Sequence, residues 1–319
     1  MSTPTSAPNS TGPLLILHGG AGGAMSQERA REVAASLRII TQDVHAALMA
    51  GATALDAVVN AVRRLEDDPL FNAGTGSKLQ VDGRARLSAA AMDGEEERFG
   101  GVVNVEGLLN PVLLARALMD DDDRVLAGAG ALERARQLGL PEGEVRTAER
   151  VAEWQARTGG PAMSVAGACD SLAGPCDPPA GPADPLAGRT GTVGAVARDD
   201  QGHMAAATST GGRGLEAVGR VSDTPTVAAT YANAHAAVSL TGVGEDIVDG
   251  ALGARLVTLV EAGQPLERAR QHLRAACRRR GWQAGFIAVD ASGAWVVEHS
   301  TPAMSWWMAG PDGTAGFLD

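Results

Sequence analysis

Two stretches of patterned sequence flank a segment, residues 159–191, that carries no apolar period of either kind. Pro161, Pro175, Pro178, Pro179, Pro182 and Pro185 stand in it, interleaved with glycine. A structureless connection of this length inside a compact domain is uncommon and is usually functional or disordered. The chain then resumes as Gly191-Thr192-Val193-Gly194-Ala195-Val196, which reads as the start of a buried strand. Any fold for this sequence has to lead a slack segment straight into the edge of its core.

The patterned stretches narrow the choice. LLILHGG (14–20) predicts a buried strand entering a Gly-rich turn, and residues 27–50 carry helical periodicity through Val33, Leu37, Ile40, Val44 and Leu48. A second helix is expected over 54–66 behind a Thr53 cap. KLQVDGRARLSAAAMDG reads as a hairpin turning at Asp82-Gly83, residues 100–109 as strand, and Pro111 as the first turn of a helix, with two more helices to about 158. Beyond the slack segment come a hairpin around Gly202, a strand over 236–241, two helices over 245–280, a hairpin turning at Ser292-Gly293 and a last strand over 304–309. Strands in antiparallel hairpins and helices in consecutive runs do not make a doubly wound sheet. They fit a four-layer αββα sandwich, and the small residues of Ala195-Val196-Ala197 and Ala205-Ala206-Ala207 would let two sheets approach closely.

Composition excludes several function classes. The net charge is −11 and Lys78 is the only lysine, which argues against a nucleic-acid surface; Arg278-Arg279-Arg280 reads as the solvated end of a helix. No run of about 18 apolar residues is present to cross a membrane. The N-terminal MSTPTSAPNSTGP lacks an apolar segment and reads as a tail rather than a signal peptide, so Asn9-Ser10-Thr11 is not expected to be glycosylated. Cys169, Cys176 and Cys277 form no disulfide framework, and a reducing cytoplasm is the expected location.

Common catalytic motifs are absent: no G-x-S-x-G elbow, H-E-x-x-H, C-x-x-C or P-loop. The histidines at 18, 45, 203, 235, 272 and 299 fall at no metal-ligand spacing and read as structural or surface residues. HGGAGG (18–23) fails the dinucleotide fingerprint because Met25 stands where a third glycine is needed, and close backbone approach explains its glycines. What remains is threonine. Thr192 starts a strand, while Thr210 and Thr241 end strands beside glycines, where hydroxyls stand next to backbone N–H groups. A threonine nucleophile needs a base, and none is near in sequence. Cleavage before Thr192 would supply one, because an α-amine titrates at about 7.7–8.0.

The motifs LLILHGGAG, DPLFNAGTGS, AAMDG, NPVLLAR, GTVGAVARD, AAATSTGG, GRVSDTP and SLTGVGE follow one another between residues 14 and 310. In them the chain resembles the plant-type L-asparaginases, also called isoaspartyl (β-aspartyl) peptidases, within the N-terminal nucleophile (Ntn) hydrolases. The resemblance implies a single αββα Ntn-hydrolase domain over 1–319 that cleaves itself between Gly191 and Thr192. The products would be 1–191, ending in the slack segment, and 192–319, paired as an (αβ)2 assembly. It implies L-asparagine and β-aspartyl dipeptides as substrates and no catalytic cofactor. By the same resemblance Thr192 is the nucleophile, Thr210 orients it, and Thr241 with the Gly242 N–H forms the oxyanion hole. Arg220 and Asp223 would hold the substrate's α-carboxylate and α-ammonium, although taken alone they read as a surface ion pair. Gly244 would line that pocket and Asn72 would lie close to the nucleophile. A structural sodium ion is implied on the backbone carbonyls of Leu65, Glu66, Asp68, Phe71, Ala73 and Thr75.

The chain departs from the family pattern at Ser88 (usually Asp), Ser222 (usually Gly), Val243 (usually polar) and over 213–218, where Glu216 brings a negative charge. These departures bear on substrate preference. Cleavage of glycosylated asparagine is a second reading, disfavoured because that branch usually has Asp where Gly191 stands; an uncleaved ligand-binding homologue is a third.

Overall fold

The computed structural model describes residues 6–7, 12–159 and 191–317. The expectations placed on the slack segment between 160 and 190, including Cys169 and Cys176, and on most of the N-terminal tail lie outside the described residues.

Two sheets stack face to face. The larger has the strand order β13-β12-β2-β6-β7-β3-β4-β5 and the smaller β1-β11-β10-β9-β8. Strands β2 (Leu14–Gly22), β6 (Val193–Arg198), β7 (Met204–Thr210) and β3 (Leu87–Asp93) form the centre of the large sheet, and β9 (Ala236–Gly242) and β10 (Ala284–Asp290) that of the small one. The other strands are β1 (Ser6–Ala7), β4 (Arg98–Val105), β5 (Val125–Ala127), β8 (Thr230–Ala232), β11 (Trp295–His299), β12 (Ala303–Gly310) and β13 (Gly313–Gly316). Pairing is antiparallel throughout except for β4 with β5.

Helices cover both outer faces, giving the expected αββα layering. Over the large sheet lie α1 (Gln27–Met49), α2 (Ala54–Asp67) and α3 (Pro111–Leu118), with α4 (Gly128–Gln137) and α5 (Ala148–Thr158) at its margin. The N-caps of α1 and α2 are side-chain hydroxyls: Ser26 accepts from the Arg29 N–H and Thr53 from the Asp56 N–H, at 3.2 and 3.1 Å. The periodic residues Val33, Leu37, Ile40, Val44 and Leu48 are the buried face of α1. Over the small sheet lie α6 (Gly244–Gly250), α7 (Leu252–Glu261) and α8 (Leu266–Arg280). Arg278, Arg279 and Arg280 are the last turn of α8, complementing its dipole as expected. In the central strands the small residues alternate: Ala195, Ala197, Ala205 and Ala207 meet the helices, while Val196 and Ala206 face the second sheet.

Three expectations are corrected. The Asp82-Gly83 turn exists, with the Gly83 N–H bonded to the Gln80 carbonyl at 3.0 Å, but it joins no strands. The hairpin is instead β3–β4, turning at 94–97, because 78–81 pairs with a remote loop: Val81 N–H to Glu216 O at 3.2 Å and Leu215 N–H to Leu79 O at 2.8 Å. The glycines of HGGAGG do not turn the chain into a helix. Strand β2 runs on to Gly22, and a register shift against β12 between Ser305 and Trp306 leaves Gly19 as a bulge. Finally, residues 245–280 hold three helices, because Ala251 adopts a left-handed conformation, φ 44°, between α6 and α7.

Candidate active site

Strand register builds the threonine end of the site. In the β6–β7 pair Val193 lies opposite Ser209, so Thr192, one residue earlier, falls opposite Thr210. The Thr192 hydroxyl donates to Thr210 Oγ1 at 3.1 Å, and Thr210 Oγ1 also accepts from the Gly212 N–H at 3.1 Å. From the small sheet β9 brings Thr241, whose Oγ1 accepts from the Ala21 N–H at 3.2 Å. That bond occupies a lone pair and leaves the Thr241 O–H available as a donor. All three threonines are buried.

Gly191 lies between these elements. A Cβ on it would stand 2.7 Å from Thr241 Oγ1 and 2.8 Å from the Ala21 nitrogen. Gly20, at φ +114°, approaches from the other side: a Cβ there would lie 2.6 Å from Gly191 Cα and 2.9 Å from its carbonyl carbon. The Gly191–Thr192 peptide thus threads a gap that only glycines on both sides leave open.

The other end of the cleft is charged. Its wall is formed by Arg213, Arg220, Ser222, Asp223, Gly244 and Glu245, continuous with Thr192, Thr210 and Gly242. A Cβ on Gly244 would lie 2.6 Å from Asp223 Oδ1 and 2.7 Å from Arg220 Nη2, so the carboxylate and guanidinium converge over that glycine. The surface-pair reading is corrected: Asp223 is buried, and the ion partner of Arg220 is Glu245, held through Nε and Nη2 at 2.9 and 3.1 Å. Burial pushes the Asp223 carboxyl up to about 6, only partly countered by Arg220, and its Oδ2 has no protein partner among the described residues. Burial works against the Arg220 charge, but Glu245, Glu216 and Asp223 together hold its pKa above the ordinary value. Glu216 is buried too, and its pKa is raised by that burial.

Asn72 braces the wall from behind. Its Nδ2 donates to the Gly212 carbonyl at 2.6 Å and its Oδ1 accepts from the Lys78 N–H at 2.9 Å, which fixes the turn after Thr210. Where the loop bearing Asn72 folds back on the end of α2, the Glu66 and Asp68 carbonyls accept from the Thr75 and Phe71 N–H groups at 2.7 and 3.1 Å. Each keeps a second lone pair, and such uncharged oxygens have the donor chemistry of a hard monovalent cation.

Several participants were not singled out from sequence. Glu245 belongs to the SLTGVGE motif, but its partner is 25 residues away. Asn104, at φ 50°, donates its N–H to Ser88 Oγ at 3.1 Å and its Nδ2 to the Arg220 carbonyl at 2.9 Å, tying the substituted Ser88 to the Arg220 backbone. His18 hydrogen-bonds Ser239 Oγ at 2.9 Å, the first link of a buried series through Thr208, Thr230 and the Thr224 carbonyl. Burial depresses its pKa to about 3, so the imidazole is neutral. Among the described residues no cluster of three His, Cys, Asp or Glu side chains could hold a metal, and no helix is long and apolar enough to cross a membrane.

An αββα sandwich with a threonine at the head of a central strand is the arrangement of an N-terminal nucleophile hydrolase. The family model for asparaginase matches residues 11–317, and the chain belongs to that family. It is similar to an isoaspartyl peptidase/L-asparaginase of Nostoc sp., 42% identical over 284 residues covering 88% of this chain and 87% of the relative. A plant-type L-asparaginase of Pyrococcus abyssi is 37% identical over 92% of this chain and 94% of its own length. The isoaspartyl peptidase/L-asparaginase of Homo sapiens is 34% identical over 96% of this chain and 95% of its own.

Proposed function

We propose that this protein is an autoprocessing threonine hydrolase that cleaves L-asparagine and β-aspartyl dipeptides to release L-aspartate. The observation that carries this reading is the convergence, in one cleft, of the Thr192–Thr210 hydroxyl pair with the Arg220 and Asp223 charges.

In the precursor, Thr192 Oγ adds to the Gly191 carbonyl carbon. The Gly191–Thr192 C–N bond breaks, the nitrogen takes the hydroxyl proton, and an ester remains on Thr192. Water hydrolyses that ester, leaving a Gly191 carboxylate, a free Thr192 hydroxyl and a free α-amine. The two chains stay together because β6 lies between β2 and β7 in one sheet.

In the mature enzyme, the α-amine accepts the Thr192 hydroxyl proton as the oxygen attacks the substrate's side-chain carbonyl. Thr210 fixes the direction of attack. The Thr241 hydroxyl and Gly242 N–H stabilise the oxyanion, a contribution of about 3–4 kcal/mol per donor in comparable sites. Collapse expels ammonia or the amino group of the second residue, which takes the proton from the ammonium. Water then resolves the β-aspartyl ester with the same amine as base. Arg220 holds the α-carboxylate and Asp223, ionised, the α-ammonium, so that only an aspartyl group with both free ends is positioned. The carbonyls of Leu65, Glu66, Asp68, Phe71, Ala73 and Thr75 would hold a sodium ion that stiffens the loop bearing Asn72; no catalytic step uses it. Two processed heterodimers would pair as (αβ)2, which light scattering on the processed protein measures.

The test is direct. Intact-mass measurement should resolve the 32.5 kDa chain into two fragments, one beginning at Thr192. The processed protein should release aspartate from L-asparagine and β-Asp-Leu but not from a glycosyl-asparagine. A chain that stays whole, or releases aspartate from neither of the first two, overturns the proposal.

A further inference from the structure

The cleft carries one more positive charge than an aspartyl group requires. The aspartyl group presents one carboxylate and one ammonium, and Arg220 and Asp223 converge over Gly244 to meet them. Arg213 also lines the cleft. It directly follows Gly212, whose N–H is bonded to Thr210 Oγ1, so its backbone is fixed beside the nucleophile pair, while its side chain, 46% exposed, stands at the rim.

Two acidic groups neighbour it and neither uses it up: Glu216 feels its charge but is bonded to its backbone rather than its guanidinium. Arg213 Nη1 lies 3.8 Å from Glu245 Oε1, a loose approach, and both Glu245 oxygens are already engaged by Arg220 at 2.9 and 3.1 Å. A planar fork at the rim of the same cleft as Thr192, and weakly paired, is suited to a carboxylate arriving with the substrate. L-Asparagine brings none beyond the one already held, whereas a β-aspartyl dipeptide brings the α-carboxylate of its second residue, two bonds beyond the nitrogen that leaves.

We propose that Arg213 binds the α-carboxylate of the departing residue and so favours β-aspartyl dipeptides over L-asparagine. This rests on the hydrolase reading above and assigns the side of the cleft that it leaves open. Because the site is partly exposed, the effect is modest and screened by salt.

The experiment compares three substrates on the processed enzyme and on Arg213→Gln: β-Asp-Leu, its C-terminal amide, and L-asparagine. Arg213→Gln is expected to lower the β-Asp-Leu to L-asparagine ratio of kcat/KM about fivefold, mainly through KM. The ratio of the amide to L-asparagine should hold within about twofold. Arg213→Lys, which keeps the charge, should recover most of the β-Asp-Leu preference, and raising the salt should erode that preference in the wild type but not in Arg213→Gln. An equal loss on all three substrates, or a β-Asp-Leu ratio that does not move, overturns the assignment while leaving the hydrolase reading intact. If the wild-type enzyme releases aspartate from none of the three, the hydrolase reading falls and this assignment with it.

Discussion

The two ends of the cleft are built by different means. At one end, Thr192, Thr210 and Thr241 are buried, uncharged hydroxyls set by strand register and by single hydrogen bonds of 3.1–3.2 Å. At the other end Arg213, Arg220, Asp223 and Glu245 are charged groups carried by the loop after β7 and by the start of α6. Register is a property of whole sheets, so it fixes reactive atoms at little local cost. Charge in a partly buried cleft is set by burial against neighbours, as Asp223, raised by its burial and only partly countered by Arg220, shows. Chemistry should therefore break at the first end, and binding and pH dependence at the second.

The largest effect expected is from Thr192→Ala. It removes both the attacking oxygen and the route to a free amine, so maturation and hydrolysis should both vanish while the circular dichroism spectrum persists; appearance of a fragment starting at residue 192 would break the assignment. Next, Thr241→Val keeps the branched shape but deletes the proposed oxyanion donor. It should lower kcat of the processed enzyme by roughly 10²- to 10³-fold with KM little changed. Asp223→Asn should act in the opposite sense: a loss of about 10- to 100-fold in kcat/KM, carried by KM, since a charge-assisted bond to the ammonium is weakened.

The pH profile tests the same contrast without mutation. The proposed mechanism requires Asp223 ionised and the Thr192 amine neutral, so on that reading both lose function as pH falls. kcat/KM, which reports the free enzyme, should fall tenfold per pH unit below about 8 and a hundredfold per unit below about 6, where Asp223 takes up its proton. The kcat profile should lack the second break, because the bound ammonium keeps Asp223 ionised. A break near 6 in both profiles would assign that titration to the chemical step.

The same contrast governs what could be read from sequence. The β6–β7 hairpin was legible because its turn is local: Gly202 sits at φ +87° and Asp199 Oδ1 accepts from the Gln201 and His203 N–H groups at 3.1 and 2.9 Å. Once the hairpin is known, Thr192 falls opposite Thr210. The Asp82-Gly83 turn carries an equally good local signal, yet its flanks pair with 215–216, a contact that no local period encodes. Arg220 and Asp223 were named only through resemblance, since residue type alone does not show that Asp223 is buried and that Arg220 pairs with Glu245. Glu245 and Asn104 went unassigned for a related reason: one acts across 25 residues and the other across 116.

The smallest effect expected is at Ser222, where the family usually has glycine. The residue lies between the two charged groups, is buried in the cleft wall, and its hydroxyl has no protein partner among the described residues. Ser222→Ala therefore deletes no intramolecular hydrogen bond of the described structure, and thermal stability should change little. If the hydroxyl is only a tolerated substitution, KM for L-asparagine should move less than about twofold, within the range of surface changes. A rise of about tenfold, the worth of one hydrogen bond to a charged group, would instead mean that Ser222 donates to the substrate carboxylate. Comparing Ser222→Ala with Ser222→Gly separates that outcome from backbone loosening, because only the second adds conformational freedom while both lose the donor.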